Sequence, residues 1–168
     1  VETYFSLLRP SDVVPVAREL EVQVELDGVP FRGFVDLVER DPSGNVVVTD
    51  YKTGTPPVTG KPWSDDQKVE KLWQPLWYAA ALTELGEHLP HRARLLYFTV
   101  KESPSGRSLR PATGELPVDI TPERLDEARV ELRRRWDEVE TARSTGCAPD
   151  GKVGPLCGWC PFVDVCAV

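Results

Sequence analysis

The sequence predicts an α/β fold, in which a three-stranded antiparallel meander is followed by two helices with a further strand between them. Three patterns predict it. Apolar residues alternate with polar ones over residues 20–26, a β-branched run covers residues 45–52, and apolar residues recur at helical spacing from Leu72 to Leu85. The 168 residues suit one domain with a core of its own.

Composition excludes several classes of protein. Hydrophobic residues make up 40% of the chain and charged residues 28%, a balance typical of folded globular proteins rather than disordered ones. Because no run approaches the ~20 apolar residues of a membrane helix and no signal peptide opens the chain, we expect a cytoplasmic protein without membrane contact. The formal charge of -7 is a poor first sign for nucleic-acid binding, because phosphate contacts need Lys and Arg.

Three strands and two turns make up the predicted meander. Residues 20–26 form a half-buried strand, and Asp27-Gly28 is a strong two-residue hairpin signal. A second strand is expected over residues 29–39. Residues 41–44 then predict another turn, and residues 45–52 form the third strand.

The hydrophobic period changes after a Pro- and Gly-rich loop at residues 53–62. Residues 64–67 have the form of a capping box, and the helix that follows contains Pro75. Because proline removes a backbone hydrogen bond, we expect a kink or a fresh start there. Residues 94–100 predict a fourth strand, and a second helix, opened by Thr-Pro-Glu, is expected over residues 121–143.

Four charged residues of the meander form a candidate site. Asp50 and Lys52 are two apart on one strand and share a face, the hairpin brings Asp36 close to Asp50, and Glu21 lies on the strand before. Neighbouring carboxylates repel unless a cation neutralises them, and Mg²⁺ prefers oxygen ligands. The cluster suits metal-assisted phosphodiester hydrolysis. The alternative is a solvated surface with an ordinary Asp50–Lys52 ion pair.

Four motifs follow one another along the chain: Gly33-Phe34-Val35-Asp36, Asp50-Tyr51-Lys52-Thr53-Gly54, Gln74-Pro75-Leu76-Trp77-Tyr78, and Cys157-Gly158-Trp159-Cys160 with Cys166. In this order they resemble the RecB-like branch of the PD-(D/E)xK nuclease superfamily. The resemblance implies a restriction-endonuclease-like α/β core, with a mixed central sheet flanked by helices, over residues 1–145. It also implies a Cys-rich C-terminal tail over residues 146–168 that a cluster ties to the core.

The resemblance assigns roles to matching positions. Asp36 and Asp50 would bind the catalytic Mg²⁺ or Mn²⁺ with the backbone carbonyl of Tyr51, and Lys52 would be the catalytic lysine. Glu21 matches an acid of the family ahead of the hairpin, with Glu19 as its competitor.

The third motif also carries roles. Gln74 and Tyr78 lie one helical turn apart, on a face that in the family contacts the DNA strand or the catalytic lysine. For Tyr78 the alternative is core packing beside Trp77.

The resemblance also implies a helix ahead of the meander that carries a metal-ligating histidine. His88 and His91 are in the wrong place for that role, so we expect the helix and its histidine upstream of Val1.

Cys147, Cys157, Cys160 and Cys166 lie within the last 22 residues. Disulfides are disfavoured in a cytosolic chain, and the irregular spacing around the single close pair suits an iron–sulfur cluster better than zinc. The resemblance favours [4Fe–4S], with Cys147 as the candidate fourth ligand in place of an upstream cysteine.

The sequence therefore predicts a metal-dependent DNA nuclease, expected to act as an exonuclease on single-stranded or frayed DNA. The resemblance implies a role in DNA repair or recombination, with a helicase as partner or fused neighbour. The alternatives are a CRISPR-associated RecB-like nuclease, an inactive DNA-binding module of a helicase complex, and a zinc-stapled interaction domain. Arg129, Arg133, Arg134 and Arg135 on the last helix are interpreted as a solvated face, and the alternative for Arg133–Arg135 is contact with DNA phosphates.

Overall fold

A computed structural model of the chain describes residues 14–53, 65–86, 88–103, 106–147, 153–161 and 163. Five strands form one mixed sheet in the order β1-β2-β3-β4-β5, which is also their order along the chain. Neighbouring strands are antiparallel except β3 and β4, which are parallel. The sheet is therefore an antiparallel meander joined to an antiparallel hairpin through one parallel pair. A parallel pair needs a long crossover connection, and here a helix lies between β3 and β4 in the sequence.

The first two strands form a long hairpin. Strand β1 spans Val14–Leu26 and β2 spans Val29–Arg40. The two residues between them, Asp27 and Gly28, have φ values of 50° and 79°. Both lie in the left-handed region that a tight hairpin turn of this type requires, so the turn predicted from Asp27-Gly28 is confirmed.

A second turn leads into β3, which spans Val46–Thr53. The Asp41 carboxylate holds this turn, because its Oδ1 accepts the backbone N–H groups of Ser43 and Asn45, both at 2.9 Å. Gly44 has a φ of 84°, which favours glycine. The turn and strand predicted for residues 41–52 are confirmed.

Helix α1 spans Asp65–Glu84 and contacts all five strands. It runs through Pro75 as one element, so of the two alternatives predicted there the fresh start is wrong, and the kink stays a prediction. The Pro75 ring is fully buried, and its apolar contacts offset part of the ~3 kcal/mol that proline costs inside a helix. Ser64 and the loop at residues 54–62 lie outside the described residues.

Strand β4 spans Arg92–Ser103 and is longer than the fourth strand predicted from the sequence, residues 94–100. It pairs with β5, Gly106–Asp119, which sequence reasoning missed. The β5 segment contains two prolines and two glycines and has little alternation, so its strand conformation comes from pairing with β4 rather than from local preference.

Helix α2 spans Pro122–Thr145, and its start is as predicted. The Thr121 hydroxyl oxygen accepts the backbone N–H of Arg124 at 3.3 Å, which satisfies one of the free donors of the first turn. The Trp77 indole Nε1 donates to the backbone oxygen of Ala128 at 2.8 Å and joins α1 to the first turns of α2.

The arginines of the second half of α2 pair with acids of the same helix. Arg133 contacts Asp137 at 2.7 Å, and Arg134 and Arg135 both contact Glu131 at 2.8 and 2.7 Å. The hydrogen bond from Arg134 is the main reason that the pKa of Glu131 falls to about 2. The interpretation of this face as solvated is confirmed for these three arginines, and it is wrong for Arg129, whose side chain is 15% exposed and contacts Glu84 at 3.2 Å.

The core residues come from both the helix and the sheet. Leu72 and Leu76 of α1, Val22 and Val35 of the first hairpin, and Leu95 of β4 are fully buried. Their burial fixes the sheet beneath α1 and so places the residues of β2, β3 and α1 that form the candidate site.

The chain divides into two compact units, Val1–Val130 and Glu131–Val168. The first unit contains the sheet, α1 and the start of α2. The second contains the rest of α2 and a 3₁₀ helix at Pro155–Trp159.

None of the helices in the described part of the chain is long and apolar enough to cross a membrane.

Candidate active site

The structure brings Asp36 and Asp50 together on neighbouring strands. Leu37 of β2 pairs with Thr49 of β3, and the same register places Asp36 across from Asp50. The Asp36 Oδ2 accepts the backbone N–H of Tyr51 at 2.7 Å. This bond fixes the Asp36 carboxylate against β3, as the hairpin argument from the sequence predicted.

Asp50 is a buried carboxylate, with only 2% of the residue exposed. Burial raises its pKa above the usual value, the Lys52 ammonium acts in the opposite direction, and the Asp36 charge raises the pKa further. Its Oδ2 lies 2.6 Å from Lys52 Nζ but accepts no hydrogen bond of good geometry from the described residues. The site therefore holds more negative charge than its protein contacts neutralise.

Lys52 connects β3 to α1. Its Nζ contacts Asp50 and also donates to Gln74 Oε1 at 2.9 Å. The Gln74 Nε2 in turn donates to the Tyr78 hydroxyl at 3.2 Å. We name these four residues the contact chain; it joins the second and third motifs of the sequence.

Gly33 of the first motif makes room for Tyr78 of the third. A Cβ atom at Gly33 would lie 2.7 Å from Tyr78 Cε1 and 3.1 Å from its hydroxyl, closer than such atoms approach. Tyr78 is buried and packs edge-on against Phe31, with ring centroids 5.9 Å apart. Tyr78 therefore both packs in the core and belongs to the contact chain, so the two interpretations of this residue are compatible.

Tyr97 of β4 is a neighbour of the site that sequence reasoning missed. It pairs with Lys52 in the parallel register, and its hydroxyl interacts electrostatically with both Lys52 and Asp50. Partial burial raises its pKa above the ordinary value, so the phenol stays protonated at neutral pH. Tyr97 could have been predicted only from the pairing of β3 with β4, because nothing in the local sequence relates residue 97 to residue 52.

Glu21 lies across from Phe34, and its carboxylate is paired with Arg32. The Arg32 Nε donates to Glu21 Oε1 at 2.8 Å. Glu19 is the acid that the register of β1 and β2 places across from Asp36, and it has a left-handed φ of 47°. The predicted metal-supporting role of Glu21 stays a prediction.

The oxygen atoms of Asp36 and Asp50 could supply some of the ligands of a hard divalent cation such as Mg²⁺. Asp50 Oδ2 is buried and accepts no hydrogen bond of good geometry from the described residues, and the Asp36 carboxylate lies across from Asp50. Among the described residues, no group of three or more His, Cys, Asp or Glu side chains could hold a metal ion. Mg²⁺ commonly uses only one or two carboxylates and keeps waters or substrate phosphates as its other ligands, so two carboxylates and the Tyr51 carbonyl suit it.

The cysteine tail belongs to the second unit. Cys157 and Cys160 are free, half-buried and three residues apart at the 3₁₀ helix, a spacing at which side chains lie on the same side. Cys147 is free and exposed, and it lines an open groove of about 430 Å³ along α2. Cys166 lies outside the described residues.

Comparison with known families identifies the superfamily of the chain. The family model of the PD-(D/E)XK nuclease superfamily matches residues 2–167, and the chain belongs to that superfamily. The mixed five-stranded sheet with its helices is the restriction-endonuclease-like α/β core that the sequence motifs implied.

Among solved structures, the chain resembles one described as "Crystal structure of SSO0001". The two are 19% identical, the match covers 98% of this chain, and the TM-score is 0.43. The chain spans 65% of the length of that structure's chain. No curated protein matches the chain.

We predict that Gly33→Ala destabilises the protein by about 1–3 kcal/mol, the range for overpacking, because the new methyl group enters the space of the Tyr78 ring. Chemical denaturation measures the free energy of unfolding. Gly158→Ala is the matched control, because a Cβ at Gly158 meets nothing within 4 Å. Combining Gly33→Ala with Tyr78→Leu should cost less than the sum of the two changes. Additive costs would contradict the proposed close approach.

Proposed function

We propose that the chain is the catalytic domain of a metal-dependent DNA nuclease of the RecB-like branch, which hydrolyses phosphodiester bonds at single-stranded or frayed ends. The observation that carries this proposal is the contact chain from Asp50 through Lys52 and Gln74 to Tyr78. A buried carboxylate beside an ammonium that α1 holds in place is costly to build, and such arrangements concentrate at functional sites.

Asp36, Asp50 and the Tyr51 carbonyl would hold Mg²⁺ or Mn²⁺. The bound ion supplies Lewis-acid stabilisation of the phosphate and an acidified water. Asp50 is suited to a cation because its buried Oδ2 accepts no hydrogen bond of good geometry from the described residues, although Lys52 Nζ lies 2.6 Å away. Asp36 is suited because Tyr51 N–H occupies its Oδ2 and orients the carboxylate.

Lys52 and its neighbours position the substrate. Hydrolysis joins a water oxygen to phosphorus and breaks one P–O ester bond, and a proton goes to the released oxygen. The Lys52 side chain is 37% exposed, so its ammonium can donate to a phosphate oxygen or to the attacking water. Gln74 accepts from Lys52 and limits where the ammonium points. The protonated Tyr97 supplies a further donor beside it.

An exposed aromatic ring adjoins the site and supports a single-stranded substrate. Phe34 is 48% exposed, and it lies two residues, or about 7 Å, before Asp36 on the same side of β2. Unpaired bases stack on such rings whatever their identity, whereas paired bases within a duplex are already stacked. The excess of acids in the chain implies weak, salt-sensitive contact with the rest of the strand.

The tail at residues 146–168 is proposed to bind a [4Fe–4S] cluster through Cys147, Cys157, Cys160 and Cys166. The C-x-x-C spacing at the 3₁₀ helix and the free, half-buried thiols of Cys157 and Cys160 support this. Such a cluster would couple folding of the tail to metal binding. The RecB-like motifs suggest action in DNA repair or recombination with a helicase as partner.

We expect Asp50→Asn and Lys52→Ala each to lower the rate of DNA cleavage by at least about 10²-fold, because each removes a group that contacts the reacting phosphate or its cation. The measurement is digestion of labelled single-stranded DNA with Mg²⁺ or Mn²⁺, and EDTA should abolish it. Asp119→Asn and Arg143→Ala, at exposed ion pairs, are the controls and should leave the rate unchanged. Cleavage that survives both site substitutions would exclude the mechanism.

Phe34→Ala should weaken binding of a single-stranded oligonucleotide by about tenfold and leave binding of a blunt duplex nearly unchanged, since base stacking contributes ~1–3 kcal/mol. Phe34→Trp should preserve the preference. Fluorescence anisotropy with Ca²⁺ in place of Mg²⁺ measures both affinities without cleavage. Leu85→Ala, at another exposed apolar side chain, is the control. Equal losses for single strand and duplex would argue against stacking.

Protein purified without oxygen should contain about four iron and four sulfide ions per chain. Cys157→Ser, Cys160→Ser and Cys147→Ser should each reduce the iron content, because each removes a proposed ligand. Elemental analysis and sulfide determination provide the measurement. One zinc ion per chain and no iron would reject the cluster, and full iron content in Cys147→Ser would remove Cys147 from the ligand set.

A further inference from the structure

The register of β3 is poorly specified by its apolar residues. Val46, Val47 and Val48 are all buried, although adjacent residues of a strand face opposite sides of the sheet. Sliding the strand by one residue therefore exchanges valine for valine on both faces. The same slip would move Asp50 and Lys52 to the opposite face of the sheet. The Asp41 turn constrains the register at the start of β3, and an interaction farther along the strand is needed to reinforce it near Asp50.

A buried polar cluster crosses β3 beside Asp50. It contains one residue from each of three adjacent strands: Glu39 of β2, Thr49 of β3 and Arg94 of β4. The Thr49 hydroxyl donates to Glu39 Oε2 at 2.9 Å and accepts from Arg94 Nε at 2.8 Å. Arg94 Nη2 also pairs directly with Glu39 Oε2. Glu39 is 4% exposed, Thr49 is 0% exposed, and 11% of the Arg94 side chain is exposed.

Strand alternation places these three side chains on one face. Thr49 pairs with Arg94 and with Leu37, which lies two residues from Glu39 on β2. Asp50 follows Thr49 and so points to the other face, together with Lys52. The cluster thus lies outside the contact chain, and the proposed mechanism does not use it.

A buried ion pair is weak support for stability, because desolvation offsets the attraction, but it can select one arrangement among several. A slip in one direction replaces Thr49 with Val48, which has no hydroxyl to bridge Glu39 and Arg94. A slip in the other direction replaces it with Asp50, whose carboxylate then lies beside that of Glu39. Either slip carries a cost that the observed register lacks. The first leaves the hydrogen bonds of the Thr49 hydroxyl to Glu39 and Arg94 unmade, and the second places two buried carboxylates together.

We propose that Glu39, Thr49 and Arg94 are positioning residues that hold β3 in the one register in which Asp50 and Lys52 reach Asp36 and Gln74. We name them the register cluster. Its catalytic consequence depends on the proposed nuclease function, whereas the register itself does not. The register of β3 and the rate of DNA cleavage are therefore measured separately.

The decisive pair of variants is Thr49→Val and Thr49→Ser in the full chain. Valine keeps the shape of threonine and removes the hydroxyl, whereas serine keeps the hydroxyl and removes a methyl group. If Thr49 acts only by packing, valine is the better replacement. If the register cluster selects the register, serine is the better replacement, because it keeps the hydroxyl.

Cross-strand NOEs in an isotope-labelled sample report the register directly. Wild type and Thr49→Ser should show one set of β3 resonances, with Val48 next to Val38 as in the structure. Thr49→Val should show a second set with Val47 next to Val38, since each lost hydrogen bond changes the ratio of registers by up to about tenfold. The kcat of Thr49→Val should fall in proportion to the shifted population, with KM unchanged.

A second variant removes the charges as well. Replacing Glu39 with Met, Thr49 with Val and Arg94 with Met removes both charges and the hydroxyl together, so none of the three positions keeps an unpaired polar group. The protein should therefore remain folded while the β3 register becomes mixed. A single native register in both this variant and Thr49→Val would overturn the proposal. If wild type fails to cleave DNA but these NOE results hold, the nuclease proposal fails while the register cluster stands.

Discussion

The contact between the buried Asp50 carboxylate and the Lys52 ammonium is the interaction on which the candidate site depends. Burial raises the pKa of Asp50, and Lys52 opposes that shift from 2.6 Å away. Lys52 also reaches Gln74 on α1, so the same ammonium ties the sheet to the helix. A charge placed there requires counter-charge and fixed neighbours, which accounts for the ordered polar contacts around it.

Tight packing on one side of the sheet supports this polar arrangement. Gly33 lets the Tyr78 ring approach the backbone of β2, and Tyr78 in turn accepts from Gln74. The glycine of the first motif, the tyrosine of the third and the lysine of the second therefore form one physical unit. A single glutamine, Gln74, joins Tyr78 to Lys52 through its two hydrogen bonds.

Local signals predicted much of the fold. Asp27-Gly28 and residues 41–44 predicted both turns of the meander, and Thr121 predicted the start of α2, because turn and cap geometry depend on a few adjacent residues. Strand β5 was missed because its conformation depends on pairing with β4. The predicted fresh start at Pro75 was wrong because burial of its ring, which no local pattern reveals, offsets part of the cost of the missing hydrogen bond.

The sequence by itself determined the superfamily and the candidates Asp36, Asp50, Lys52, Gln74 and Tyr78, because motif order and strand periodicity are properties of the chain. Only the tertiary structure decided which groups meet. It paired Glu21 with Arg32, placed Tyr97 beside Lys52, and assembled Glu39, Thr49 and Arg94 across three strands. These contacts join residues 10 to 55 positions apart, and strand register, which the local sequence leaves open, decides them.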